Sequence, residues 1–132
     1  MNWNRYFIGS IVVFVVIFIL DYLFHEVLLA SFYMANEACM RPEPYWLAIF
    51  LGELIFAFGF CFIFLKGYEG KGCAEGVRYG LYVGIAFGIS NAMISYAVYP
   101  FSGWVMLAYF FGIPIILMIA GAVFASIYKP KA

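Results

Sequence analysis

The sequence predicts an all-α integral membrane protein, an antiparallel bundle of four transmembrane helices with both termini in the cytoplasm. Its composition, its four apolar runs and the placement of its basic residues support this. Of 132 residues, 67% are hydrophobic and 11% are charged, whereas soluble domains are about 45–50% apolar. Because one span needs about 20 apolar residues, four spans with short loops fill a single membrane domain over residues 1–132.

The four apolar runs predict helices at about 5–33, 45–65, 77–99 and 101–128. A polar loop with Pro42 and Pro44 separates the first two, since proline cannot continue a helix interior. Pro100 ends the third helix and Pro130 follows the fourth. The very short connection between the last two predicts that they are antiparallel neighbours.

The basic residues predict the orientation. Lys and Arg near helix ends favour the cytoplasmic side. Six of the seven fall on the side of the termini, and only Arg41 falls on the other; the six are Arg5, Lys66, Lys71, Arg78, Lys129 and Lys131. Trp and Tyr residues at predicted helix ends agree, because amphipathic rings prefer the headgroup layer. Zero net charge without a basic cluster argues against a nucleic-acid partner.

The third helix carries small residues at a strict spacing of four, namely Gly76, Gly80, Gly84, Gly88 and Ala92. Such a small-xxx-small stripe lets two backbones approach closely, and close packing holds membrane helices together. The stripe predicts a tight helix contact, either inside the monomer or with another subunit. Gly121 and Ala125 form a weaker, matching pair on the fourth helix.

Polar residues inside the membrane form the candidate site. Rises of about 1.5 Å per residue place Asp21, Glu53 and Asn91 about 20–24 Å from the cytoplasmic helix ends, at one level in the outer half of the membrane. Pro114 on the fourth helix falls at the same level and frees one backbone carbonyl. His25 follows Asp21 by four residues and is expected on the same helix face. Ionisable groups at such depths are costly and need partners.

Two interpretations of this polar layer remain open. Asp21, His25 and Glu53 offer three ligands for a divalent metal, or a proton relay. Alternatively, Asp21 bonds to His25 and Glu53 bonds to Asn91, which locks the bundle without binding anything. No Ser-His-Asp, Cys-His or metalloprotease pattern occurs in the sequence, so an enzymatic function is disfavoured.

The loop between the second and third helices carries charged residues that we treat as a second candidate region. They are Lys66, Glu69, Lys71, Glu75 and Arg78. One interpretation is a turn anchored by Lys66–Glu69 and Glu75–Arg78 ion pairs, and the other is a docking surface for a partner.

Several segments together resemble a family of small bacterial four-helix membrane proteins that have no assigned activity. The resemblance rests on Asp21-x-x-x-His25, Arg41-Pro42, the run from Lys66 to Gly80, and Tyr128-Lys129-Pro130. It implies a multi-pass protein of the bacterial inner membrane and carries over no activity or cofactor.

Two functions follow from the sequence. The small size and the glycine stripe favour a non-catalytic protein that acts by association, either as a homo-oligomer or as an accessory subunit of a membrane complex. The alternative is transport or sensing of protons or a divalent metal at Asp21, His25, Glu53 and Asn91.

Overall fold

A computed structural model describes residues 1–130, apart from the side chain of Cys39; Lys131, counted above, lies outside the described residues. The described chain is helical. Four helices are long and apolar enough to cross a membrane, which confirms this part of the predicted fold. The helices are α1 Trp3–Leu28, the short α2 Ala30–Ala35, α3 Trp46–Lys66, α4 Cys73–Val98 and α5 Gly103–Ile127.

Two helix boundaries differ from the expected ones. The first helix does not continue to Tyr33, because α1 widens into a π-helical turn over Leu23–Leu28 and the chain bends at Leu29 before α2. Helix α4 begins at Cys73, four residues earlier than expected. The buried Glu75 in its first turn accepts hydrogen bonds from the preceding loop, which fixes this start.

The bundle has two ends, which we call the terminal half and the distal half. In the terminal half, the backbone N–H of Asn2 donates to the Tyr128 hydroxyl at 3.2 Å, so the two chain ends are adjacent. The Tyr68 ring from the α3–α4 loop packs on Tyr128, with ring centroids 5.2 Å apart. The distal half contains α2, the polar loop to α3 and the α4–α5 connection, where Phe32 packs on Phe101.

Helix α3 packs on α1, α1 on α5, and α5 on α4. Helices α3 and α4 meet mainly through Tyr79, whose hydroxyl donates to the Phe60 carbonyl at 2.8 Å. Most of the buried core lies in the terminal half, around Phe60, Phe64 and Phe124. A smaller distal cluster contains Phe24, Leu29, Val105 and Ile116. The bundle is therefore closed at the terminal end and looser at the distal end.

The glycine stripe of α4 lies along α5 within the same chain. A Cβ atom on Gly76 would overlap the Gly121 carbonyl, and one on Gly80 would overlap the Leu117 carbonyl. A Cβ on Gly84 would meet the backbone of Pro114. At these positions the absence of a side chain is what allows the two backbones to touch.

A π-helical turn over Gly84–Ile89 keeps this stripe on one face. In a regular α-helix, residues four apart drift by about 40° per step because a turn takes 3.6 residues. The i→i+5 bonds of a π turn underwind the helix and offset that drift. As a result Gly88 and Ala92 are still buried, as are Gly76, Gly80 and Gly84 in the turns before them.

Candidate functional site

Two cavities meet in the distal half of the bundle. A groove of about 890 Å³ opens between α1, α3 and the polar loop that joins them, and a second cavity of about 300 Å³ lies among α1, α3, α4 and α5. Asp21 and Glu53 line both of them. These two carboxylic acids, from adjacent helices, therefore lie between the two cavities.

Each of these carboxyl groups has a buried oxygen without a partner. Asp21 Oδ1 and Glu53 Oε2 are inaccessible and accept no hydrogen bond from the described residues. Burying a polar group without a hydrogen bond costs several kcal/mol in an apolar medium, on the order of 2–7 kcal/mol. The two acids are thus suited to hold a proton, an ion, water or a ligand.

A hydrogen-bonded cluster of His25, Tyr33 and Tyr109 lies beside the acids. The Tyr33 hydroxyl and His25 Nδ1 share a hydrogen bond of 2.6 Å, and the two tyrosine hydroxyls are 2.9 Å apart. His25 and Tyr33 line the groove, whereas Tyr109 lines the second cavity. Burial raises the pKa of Tyr33, which keeps its hydroxyl protonated and able to donate. The cluster therefore forms a second polar link between the cavities.

The expected Asp21–His25 hydrogen bond is not formed among the described residues, where His25 Nδ1 bonds to Tyr33 instead. The expectation assumed regular α-helical spacing. His25 lies inside the π-helical turn Leu23–Leu28, whose wider turn rotates the imidazole away from the face of Asp21.

Asn91 also differs from the expected arrangement. It lines the second cavity together with Glu53, but it is exposed on the isolated bundle, and Glu53 Oε2 has no bond to it. The π-helical turn before it carries Ala92, rather than Asn91, onto the buried face of α4. The lock made of Asp21–His25 and Glu53–Asn91 bonds is therefore not what holds these helices together.

The described residues contain no group of three His, Cys, Asp or Glu side chains placed to hold a metal ion. Asp21, His25 and Glu53 line one groove, yet His25 faces the tyrosines. A zinc site usually has three or four protein ligands, whereas Mg²⁺ keeps several waters and is often held by one or two carboxylates. The described residues therefore do not form a zinc-type cluster at this groove.

The charged loop before α4 forms different contacts from those expected. Glu69 pairs with Lys71 at 2.6 Å and with Arg78 at 2.8 Å. The Glu75 carboxylate accepts from the backbone amides of Glu69 and Lys71, and Lys66 lies over the Phe62 ring. Glycines at positive φ, Gly70 and Gly72, shape the turn. The buried Glu75 carboxylate at the start of α4 accepts backbone hydrogen bonds, so Glu69 forms the ion pairs with both Lys71 and Arg78.

Hydrogen bonds from Lys71 and Arg78 hold the pKa of Glu69 below its ordinary value of 4.5. The carboxylate is exposed to solvent, so these ion pairs contribute little to stability. The loop therefore depends mainly on the buried Glu75.

Sequence reasoning missed Tyr33 and Tyr109. From the sequence, Tyr33 is expected only to end the first helix. Tyr109 occurs on a buried, otherwise apolar face of α5 that includes Val105 and Ile116, and a tyrosine on such a face usually has a hydroxyl partner. A tyrosine on this apolar helix face is therefore the sequence feature that indicates a buried hydroxyl partner.

No protein-family model, curated protein or solved structure matches this chain. Its function is therefore inferred from the geometry of the distal half.

Proposed function

We propose that this chain is a multi-pass protein of the bacterial inner membrane, with both termini in the cytoplasm, that binds and senses protons at Asp21 and Glu53. The observation that supports this proposal is the placement of these acids. Both line both distal cavities, and each has a buried oxygen without a partner. A carboxyl group in such a place changes its contacts when it gains or loses a proton.

The distal groove gives protons a way to reach the acids. Its lining includes Glu37, Arg41 and Pro42 from the polar loop and continues inward to Glu53. Beside the acids, the Tyr33 and Tyr109 hydroxyls join the groove to the second cavity. Protons from the distal side can therefore exchange with the centre of the bundle.

The terminal half favours sensing over continuous conduction. Its centre is filled by buried rings, with Phe64 and Phe124 at 5.6 Å and Phe60 and Tyr79 at 4.7 Å between ring centroids. Transport across the membrane would need these rings to separate. A divalent metal is a weaker candidate than a proton, because no three ligands converge among the described residues.

The test uses Trp46, which lines the groove together with Glu53, as a single fluorescent reporter in a Trp3→Phe, Trp104→Phe background. We expect the Trp46 emission to titrate with pH, and the transition to disappear when Asp21→Asn and Glu53→Gln are combined. The control is Glu43→Gln, at an exposed acid of the polar loop. An unchanged titration in the double variant would contradict the proposal.

Association is the second candidate function, as a homo-oligomer or as an accessory subunit. The observation that favours it is the exposed Asn91 on the distal part of α4, which separates from α3 around the second cavity. An exposed polar amide on an apolar helix favours contact with another helix, since such side chains hydrogen-bond across membrane helices. The close glycine contacts are used inside the chain, so an oligomer would form through this distal face.

Native mass spectrometry in mild detergent tests association. We expect a complex in the wild type that is weakened by Asn91→Leu and unaffected by Tyr82→Leu, at another exposed position of α4. A strictly monomeric protein without bound partners would contradict this second proposal.

A further inference from the structure

The lining of the distal groove carries more acidic than basic side chains. Four carboxylic acids contribute to its lining, against one guanidinium, that of Arg41. Asp21 and Glu53 lie at its inner end, whereas Glu26 and Glu37 are exposed. The excess of acids favours a positively charged occupant.

Aromatic side chains line the same groove. They belong to α1, α2 and the start of α3, and they are Phe18, Tyr22, Tyr33, Tyr45 and Trp46. The face of an aromatic ring attracts a cation within about 6 Å and at the same time packs against apolar groups. Trp and Tyr at this end also suit the membrane interface, where one side of a ligand is wet.

The size of the groove distinguishes between kinds of cation. Its volume of about 890 Å³ lies in the range of about 300–1,000 Å³ that is typical of small-molecule sites. A metal ion does not need this space, and the described residues place no set of three ligands for one. A compact inorganic cation gains little from apolar walls, whereas an organic cation gains from both the walls and the acids.

We propose that the distal groove binds an amphipathic organic cation, with its positive charge at Asp21 and Glu53 and its apolar body against Tyr45 and Trp46. The ligand class is a hydrophobic amine or another onium ion that partitions into the membrane interface. This inference rests on the proposed function in that it uses the same two acids, so that the cation replaces the protons they hold.

Two probes of the same shape and opposite charge test the proposal, the tetraphenylphosphonium cation and the tetraphenylborate anion. Equilibrium dialysis at one fixed pH measures their binding to the purified full-length protein in an uncharged detergent, with empty micelles as the blank. We expect saturable binding of the cation only, with quenching of Trp46 emission in the Trp3→Phe, Trp104→Phe background.

Variants of the groove identify the side chains that bind the cation. We expect Asp21→Asn and Glu53→Gln each to weaken binding of the cation by about tenfold or more, because the charge attraction acts in a medium of low polarity. Trp46→Leu weakens it by several fold, whereas Glu43→Gln and Trp104→Leu, outside the groove, leave it unchanged. An unchanged gel-filtration profile confirms that each variant is folded, and Trp46→Leu tests the site without altering the acids.

Equal uptake of the two probes, or wild-type affinity in the combined Asp21→Asn, Glu53→Gln variant, would overturn the inference. This failure is distinct from failure of the proposed function. A protein that responds to pH through Trp46 but does not bind the cation senses protons only. If the protein binds the cation through the two acids but Trp46 emission does not respond to pH, the organic-cation site is supported and proton sensing is contradicted.

Discussion

The terminal and distal halves of the bundle pack their helices in opposite ways. In the terminal half, α4 and α5 touch through backbone at Gly76, Gly80 and Gly121, and aromatic rings fill the centre. In the distal half, two cavities separate the helices, and Asp21 and Glu53 stand between them. One π-helical turn ends α1 in the distal half, and the other lies at the middle of α4, where Gly88 lines the second cavity.

This difference indicates a division of roles. Close packing of small residues stabilises membrane helix pairs, and the closest glycine contacts, at Gly76 and Gly80, lie in the terminal half. The unpartnered carboxyl oxygens of Asp21 and Glu53 lie in the distal half. Polar groups that lack partners, irregular helical turns and open volume are features of functional sites rather than of scaffolds. The terminal half thus holds the helices together so that the distal half can stay open.

The largest expected effect comes from Gly80→Leu in the terminal half. Even a Cβ atom at Gly80 would overlap the Leu117 carbonyl, so α4 and α5 must separate. Overpacking that shifts the backbone typically costs about 1–3 kcal/mol and occasionally more, and we expect this variant to lie at the upper end. Chemical unfolding in detergent measures the loss. The matched control is Gly59→Leu on α3, where a Cβ meets no atom within 4 Å; equal destabilisation by both variants would show that the α4–α5 contact is not special.

An intermediate effect is expected from Tyr109→Phe in the distal half. The change removes the hydroxyl that lies 2.9 Å from that of Tyr33, and losing one such hydrogen bond costs about 1 kcal/mol. We expect a changed imidazole NMR signal of His25 while the terminal half keeps its structure. Tyr82→Phe, at an exposed tyrosine, is the control. If the His25 signal does not respond, the three side chains do not form one cluster.

The smallest expected effect concerns the exposed ion pairs of Glu69 in the α3–α4 loop. Because Lys71 and Arg78 lower the pKa of Glu69 in the folded protein, the stability that these pairs add is present above the ordinary value of 4.5. It is lost as the pH falls through the lower folded value. A carboxyl NMR titration measures this pKa. We expect it to rise toward 4.5 in Arg78→Gln and in high salt, which screens exposed charges. A pKa unaffected by both changes would contradict the pairing.

The sequence was sufficient to predict the helical class and the four long apolar helices, because apolar runs of about 20 residues separated by Pro and Gly are strong signals. It also brought Asp21 and Glu53 to one level by counting helical rise. That arithmetic depends only on length along the axis, so the π-helical turns disturb it little.

Rotation about the helix axis was less predictable. A face assigned from regular spacing shifts after a π-helical turn, which is why His25 bonds to Tyr33 and why Asn91 is exposed while Ala92 is buried. The pairing of Glu69 with both Lys71 and Arg78 depends on the burial of Glu75, which no local pattern shows. The cavities arise from the separation of helices, a tertiary feature.

Reaction of engineered cysteines with a membrane-impermeant thiol reagent tests the contrast between the halves most directly. In a chain whose native cysteines are replaced by serine, Ile49→Cys places a thiol in the distal groove, and Ile63→Cys places one on the terminal half of the same helix, α3. On the isolated bundle Ile49 is 39% exposed and Ile63 is 61% exposed, so exposure alone favours Ile63. If the groove admits water to the level of Glu53, the thiol at position 49 reacts at least about tenfold faster in liposomes, because only the thiolate formed in water is reactive. Equal rates, or faster reaction at position 63, would contradict an open, polar distal half.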